Sequence, residues 1–343
     1  MDKPTVSAII CCYTGERFKD IHEAVESALA QTLKPHEVII AVDHNKQLYE
    51  RLAETYRDSV EIRRNSVNLD QFLSSQSPIP NPQPPVPIIL VFNEAAPGLS
   101  ETRNVGIRAS SGDIVAFIDD DALAGPDWLE KLIRPFQPPV PIFPSHVVAV
   151  GGRAIPLWPN DRRPSWFAEE LDWIVGCTYK GLPLDGNRIR NVHGCNMAFR
   201  KGCFEKAGFF RSETGRVGAT TGCGEEADLC LRIAHALPEA LIAYQEHATI
   251  RHKVAPHRTT WRYLWQRSYN EGFYKSLVKK LSSGSAQTAL STEDSYLRYL
   301  LFKSIPERLA RFYRKGSLRQ IAAIIVCIAA TGVGYLAGRA RRQ

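Results

Sequence analysis

The sequence predicts an α/β fold: a mostly parallel central sheet with helices on both faces, followed by C-terminal helices and a short apolar segment. Two observations carry this. Short, uniformly apolar, β-branched runs alternate with stretches of helical apolar spacing, the pattern of strands buried on both faces. Two of those runs end on aspartates, Asp43 and Asp119, at the strand ends beyond which such sheets bind ligands. The 343 residues, 44% hydrophobic and 23% charged, suffice for one large domain or two small ones and exclude a disordered chain. No period of roughly 20 to 50 residues recurs, which excludes repeat architectures.

Val6–Tyr13 is an apolar run closed by Thr14 and Gly15 and reads as the first strand. Helical spacing follows over Ile21–Leu33, and Val38–Val42 is a second buried strand ending on Asp43. Leu48–Tyr56 is the next helix. Ser77–Pro87 holds six prolines in eleven residues and must be loop, because proline suits neither a helix interior nor a central strand. Pro87–Phe92 makes a third strand, Ser100–Ala109 a helix, and Ile114–Ile118 a fourth strand that runs into Asp119, Asp120 and Asp121. A second proline cluster, Phe136–Pro144, is read as loop, and Val147–Ile155 as a strand broken by Gly151 and Gly152. Trp158–Gly194 is irregular and aromatic. Gly194–Arg200 and Gly222–Ile233 return to strand and helix patterns, and Trp261–Lys280 reads as a basic amphipathic helix.

Charge divides the chain unevenly. Residues 251–343 carry 18 Lys and Arg against 4 Asp and Glu, whereas residues 1–250 are acidic, 25 against 32. Within the basic part, Ile321–Gly338 holds no charged residue and is flanked by Arg314, Lys315 and Arg319 on one side and Arg339, Arg341 and Arg342 on the other. That stretch is at the short edge of what spans a bilayer core of roughly 30 Å, so the basic tail is assigned to a membrane rather than to nucleic acid. The first residues show one early lysine and only a brief apolar run, so the bulk of the chain is expected in the cytosol. Eight cysteines without a C-x-x-C pair are read as reduced, buried thiols.

Three consecutive carboxylates repel one another unless a cation or hydrogen-bond donors offset them. Strand alternation places Asp119 and Asp121 on one side and Asp120 on the other, and such hard oxygens suit Mg²⁺ or Mn²⁺. The alternative is a solvated acidic turn capping the Pro126–Ile133 helix. A second acidic group, Glu225, Glu226 and Asp228, opens a helix after Gly222, Cys223 and Gly224. It either complements the helix dipole or leaves one carboxylate free as a general base. His252, after the strand-like Ala248–Arg251, is a candidate third metal ligand.

The segments VSAIICCYTGER, VIIAVDHN, SETRNVGIRASSGDIVAFIDDDALAGPDWLEKL, GCNMAFRK and GCGEEADLCLRI, in that order, resemble a family 2 glycosyltransferase of the GT-A (Rossmann-like) fold over about residues 4–280. More narrowly, RPSWFAEELDWIVGCTYKGLP, RNVHGCNMAFRK and TWRYLWQRSYNEGFYKSLV resemble bacterial members of the glucosyl-dolichyl-phosphate glucuronosyltransferase-like group. The resemblance implies a GT-A domain over 4–250, with a nucleotide-sugar half at about 4–125 and an acceptor half at about 126–250. A basic helical extension over 251–320 and a membrane helix over 321–338 complete the chain.

By that resemblance Asp43 would hydrogen-bond the base of a UDP-sugar, Asp119 would face the ribose or sugar, and Asp120 would join the nucleotide-sugar contacts. Asp121 and His252, with Asp119, would hold Mn²⁺ or Mg²⁺. Arg103, Arg258 and Arg267 would contact the diphosphate. Glu226 would take the proton from the acceptor hydroxyl, with Glu225 and Asp228 less favoured. Gly194, Cys195, Asn196 and Trp173 would lie on the acceptor side. The implied activity is inverting, metal-dependent transfer of a sugar, with UDP-glucuronate or UDP-glucose as candidate donors, to a lipid-linked or other glycan acceptor at the cytoplasmic face of the cell membrane. The rival readings are a catalytically silent nucleotide-sugar-binding scaffold at the membrane and a nucleic-acid binder using the basic tail.

Overall fold

The computed structural model describes residues 4–57, 60–62, 86–137, 146–184, 187–215, 224–281 and 291–340. Most of both proline clusters, 77–85 and 138–144, and Gly222 and Cys223 lie outside the described residues.

β1 (Val6–Cys12), α1 (Phe18–Leu29), β2 (Glu37–Asp43), α2 (Lys46–Thr55), β3 (Val60–Ile62), β4 (Ile88–Asn93), α3 (Leu99–Ala109) and β5 (Ile114–Asp119) form the first half of the chain. β1 and β2 are buried along almost their whole length, as their unbroken apolar sequence requires of strands covered on both faces. They pair in parallel in the order β3-β4-β2-β1-β5. Register aligns their carboxyl ends, so Asp43 stands opposite Asn93, and Asp119 opposite Cys11.

The second half extends the same sheet. β6 (Ala122–Ala124), α4 (Trp128–Ile133), β7 (Val147–Leu157), β8 (Asn196–Arg200), α5 (Gly202–Ala207), α6 (Glu225–Ala236) and β9 (Leu241–Lys253) add the strand order β8-β7-β9-β6 beyond β5. β8 runs antiparallel to both neighbours. The mostly parallel expectation therefore holds for the first half and for the β7–β9 pair. One core, holding Ile21, Ala24 and Val25 of α1, Leu48 and Leu52 of α2 and Trp128 of α4, fills one face of the sheet. The other face is covered by Val105 and Ile107 of α3, Phe204 of α5 and Leu229 and Ile233 of α6.

α7 (Trp261–Leu281), α8 (Ser291–Tyr299), α9 (Ile305–Leu309) and α10 (Ser317–Ala340) close the chain. α7 matches its expected span, but it is not a solvated amphipathic helix, because α10 packs along it. Glycines allow that approach: a Cβ on Gly272 would collide with Thr331 O, and one on Gly334 with Tyr269 O. Gly272 against Thr331 and Ser276 against Gly338 advance together, so the two helices run parallel. The C-terminal helices are tied into the body by Glu170. It is wholly buried and receives Arg308 in a bidentate pair at 2.6 and 3.0 Å and the Ser304 hydroxyl at 3.0 Å. α10 is long and apolar enough to cross a membrane. Its Ile321, Ile324, Cys327, Ala330 and Gly334 are buried, while Leu318, Ile325, Val333 and Leu336 are exposed.

Candidate active site

The short strand β6 decides where the acidic triplet points. Its pairing with β9 puts Ala122 opposite His252 and lets Lys253 N–H donate to Asp121 O at 2.9 Å. His252 Nε2 then lies 3.1 Å from Asp121 Oδ1 and 3.6 Å from Asp119 Oδ2. These ligand atoms fall within 4.8 Å of one another. Two carboxylate oxygens and an imidazole nitrogen fit a divalent ion such as Mn²⁺ or Mg²⁺. Burial alone would drive His252 to neutrality, but Asp121 and Asp119 outweigh it and hold the imidazole well above its ordinary pKa. Asp119 and Asp121, which burial would raise, are both held below the usual carboxylate range, chiefly by His252.

Asp120 lies in the turn beyond β5, where the alternation expected of a strand no longer governs it. Its carboxylate accepts from Arg17 Nη1 at 3.0 Å, and the same nitrogen stands 3.1 Å from Asp121 Oδ2. Burial and the neighbouring Asp121 nevertheless push Asp120 up to about 7. Arg17, in the turn after β1, is absent from the sequence-derived site, and no local pattern marks it. Only the fold brings it across to the triplet.

Asp43 closes β2. Its oxygens accept from Asn93 Nδ2 at 2.9 Å and Gly98 N–H at 3.0 Å, which fixes the carboxylate on the wall of a cavity of about 120 Å³. Asp119, Asp120, Asp121, His252, Arg258 and Arg267 share that cavity. A second cavity, about 570 Å³, opens beside it and is walled by α6, α7, α8, α10 and the 173–195 segment. Leu99, Asp119, Gly176 and Arg267 line both.

Glu226 stands on the second cavity. Arg103, almost wholly buried in α3, reaches Glu225 at 3.1 Å and Glu226 at 3.2 Å. Arg103 thus holds the acidic pair and lines the larger cavity, not the smaller one where Asp43 and His252 lie. Glu226 keeps 17% side-chain exposure where Glu225 keeps 5%, so Glu226 is the member open to a ligand. Asp228 is occupied by Arg211 at 3.2 Å and Arg232 at 2.9 Å and lines neither cavity.

On the expected acceptor side, Gly194, Cys195 and Trp173 line the second cavity. A Cβ at Gly194 would collide with Glu226 Oε1, so glycine is required where Glu226 rests. Cys195 is buried, with its Sγ donating to Gly176 O at 3.1 Å. Asn196 is a correction. It is fully buried, accepts from Trp128 Nε1 at 2.8 Å and donates to Arg153 O and Ala248 O at 3.1 and 2.9 Å, so its amide fastens β8 into the sheet instead of facing a cavity. Arg258 is buried beside Asp121, and Arg267 pairs with Glu271 at 2.8 Å with its guanidinium over the Trp173 ring. His193, Arg190, Lys275 and Glu293 also line the larger cavity and were not anticipated.

Carboxylates at the carboxyl ends of parallel strands, a cluster fit for a divalent ion and an adjoining cavity with a carboxylate on its wall are arranged as in a glycosyltransferase of the GT-A class. The chain belongs to glycosyl transferase family 2, whose sequence profile matches residues 81–208. It is 32% identical over 336 residues, 97% of its own length and 96% of the relative's, to the glucosyl-dolichyl phosphate glucuronosyltransferase of Haloferax volcanii. Among solved structures it is similar to the mannosyltransferase PcManGT of Pyrobaculum calidifontis in complex with GDP-Man and Mn²⁺, with a TM-score of 0.54 and 16% identity over 98% of this chain and 88% of that one. It also resembles GalNAc-T7 with UDP, GalNAc and Mn²⁺, with a TM-score of 0.52 and 13% identity over 92% of this chain and 59% of that one. The chain is a glycosyltransferase.

Proposed function

We propose that this glycosyltransferase moves a sugar, with inversion, from a UDP-sugar to a hydroxyl of a lipid-linked sugar at the cytoplasmic face of the membrane. UDP-glucuronate and UDP-glucose are the candidate donors. The observation that carries the reading is the junction of the two cavities at Asp119: a donor that reaches into the smaller one meets an acceptor in the larger one, whose wall carries Glu226. The glucuronosyltransferase relative, similar over nearly its whole length, supports the lipid-linked acceptor.

Asp43, fixed by Asn93 and Gly98, binds the base edge, and Asp119 faces the ribose and sugar. Asp119, Asp121 and His252 would hold Mn²⁺ or Mg²⁺, which neutralises charge on the departing diphosphate when bound. Arg258 and Arg267 add fixed positive charge beside that position. Glu226 accepts the acceptor's hydroxyl proton as that oxygen bonds to the anomeric carbon. The bond from the anomeric carbon to the diphosphate oxygen breaks on the opposite side, and its electron pair leaves with the nucleotide. Arg103 aims Glu226 instead of touching the diphosphate. A polyprenyl phosphate taking its first sugar needs no such base, because its oxygen is already ionised, so Glu226 favours a hydroxyl acceptor.

The test is nucleotide release from a panel of UDP- and GDP-sugars with Mn²⁺ or Mg²⁺ and lipid-linked acceptors. Glu226→Gln should bind nucleotide as the wild type does while turnover falls about a hundredfold or more. Retained turnover in that variant would remove Glu226 from the mechanism.

A further inference from the structure

His193 forms part of the wall of the larger cavity, one residue before the glycine that makes room for Glu226. Its backbone is fixed, because Asn196 N–H donates to His193 O at 3.0 Å and the Asn196 side chain is fastened into the sheet. Its ring is held differently. Nδ1 is shut from solvent and has no hydrogen-bond partner among the described residues. Burial outweighs the nearby Glu226 and holds the imidazole below its ordinary pKa, so the ring is neutral and carries one donor and one acceptor. A buried nitrogen without a partner is unfavourable, and a ligand that supplies the partner relieves it. Tyr179 meets the ring nearly at right angles with centroids 6.0 Å apart, a contact that a half-turn about the Cβ–Cγ bond preserves. Neither tautomer nor ring flip is therefore set by a bond at Nδ1, and a ligand can select both. By contrast, Arg103, Arg190 and Lys275 on the same wall are engaged by carboxylates. Trp173, Tyr179 and Tyr296 make the wall around His193 aromatic, with the two tyrosine rings 4.8 Å apart. Aromatic surface with a few fixed polar groups suits a sugar, which has apolar faces and hydroxyl edges.

We infer that His193 is a specificity residue for the acceptor: its imidazole hydrogen-bonds one hydroxyl of the acceptor sugar and so decides which neighbouring hydroxyl Glu226 deprotonates. Adjacent hydroxyls on a sugar ring have a fixed relation, so anchoring one of them to a rigid wall residue aims the next. A site that hydrogen-bonds a hydroxyl also rejects an analogue lacking it far more strongly than an apolar pocket can, because the site's polar group is then left unpaired. This rests on the reading of the larger cavity as the acceptor site and assigns the residue that sets the linkage formed there.

The test combines variants of His193 with a short-chain isoprenyl phosphate bearing glucose and with analogues that each lack one glucose hydroxyl, UDP-glucuronate and UDP-glucose being the donors. In the wild type, one analogue that still carries the reacting hydroxyl should lose kcat/KM by about tenfold to a hundredfold. His193→Phe, which keeps a ring against Tyr179, should lose a similar factor on the complete sugar and be insensitive to that same deletion. Removing the hydroxyl and removing the imidazole then delete one interaction between them, not two. His193→Asn, which retains a hydrogen-bonding group near the position of Nδ1, should keep part of the discrimination, and the products of His193→Phe should carry mixed linkages where the wild type gives one. If both variants depress every acceptor by the same factor and form a single linkage, His193 only supports the wall, and the inference fails while the acceptor reading stands. If the wild type transfers to none of these acceptors although it releases nucleotide onto another sugar, the lipid-linked reading itself falls and takes the inference with it.

Discussion

A single methyl group at Gly194 would meet the carboxylate of Glu226 and the guanidinium of the buried Arg103, and such far ends of side chains move more cheaply than backbone. Gly194→Ala should therefore leave the fold intact while Glu226 is pushed from Arg103, and an ångström of misplacement at a reacting group is worth about a hundredfold. Turnover should fall by that order while the protein still folds, with a melting temperature lowered by the disturbed Arg103 pair; a variant as active as wild type would separate Glu226 from the chemistry. Arg17 invites a complementary experiment, because one of its nitrogens bridges Asp120 and Asp121. Arg17→Met should destabilise the metal-free protein by about 3 kcal/mol, as for other buried pairs that lose one partner. Removing a cation next to the ligands also favours a metal ion, so added Mn²⁺ should raise the melting temperature more in the variant than in wild type. An equal rise in both would mean that Arg17 does not compete with the ion. Asp43, the aspartate triplet and Glu226 were legible because each ends a strand or opens a helix in a recognisable local pattern. Arg17, His193, Arg190 and Lys275 were not, because each reaches its site from a distant segment and its neighbours in sequence carry no mark of it.

Elements followed the same rule. β1, β2, β4 and β5 were readable as continuous apolar runs, whereas β6, three residues long, has no pattern to detect and exists by pairing with β9. β9 was glimpsed only at its end, since Gln245, Glu246 and His247 interrupt its apolar sequence where its register against β7 shifts. α8, missed from sequence, is held by Glu293, whose carboxyl burial would raise but Lys275 and Arg190 bring down to about 2. Because the folded-state value is depressed, the stabilisation is complete above the ordinary glutamate value of 4.5 and is lost as pH falls from there toward about 2. The full shift corresponds to at most about 3 kcal/mol. Urea denaturation at about pH 6 and about pH 3 should show a smaller acid-induced loss in Glu293→Gln than in wild type. Equal losses would place the acid-sensitive contact elsewhere.

For the whole molecule the question is how an apolar helix that forms part of a cavity wall meets a membrane. α10 is apolar on both faces, yet its inner face is locked against α7 by Gly272, Gly334 and Gly338. α7 carries Arg267, Glu271 and Lys275, so carrying the pair together across a bilayer would place those charges in hydrocarbon, at about 3 kcal/mol for each basic residue by insertion scales. Separating α10 instead would strip the cavity of one wall. Both routes are unfavourable, and a third avoids them: α10 stays on α7 and buries only its exposed outer side, Leu318, Ile325, Val333 and Leu336, in the interface. Phe302, Phe312 and Tyr313 are exposed on the same C-terminal unit, beside Arg311, Arg314, Lys315 and Arg319. Such cations contribute about 1 kcal/mol each near an anionic surface. The full chain should therefore bind vesicles containing anionic lipid more tightly than neutral ones. Replacing these four cations with Gln should weaken that binding by a factor on the order of a hundred to a thousand, and an alkaline carbonate wash should release the wild type. A chain that stays with the vesicles through the wash and is indifferent to the four substitutions would be spanning, and α10 would then have to leave α7 and open the cavity to lipid.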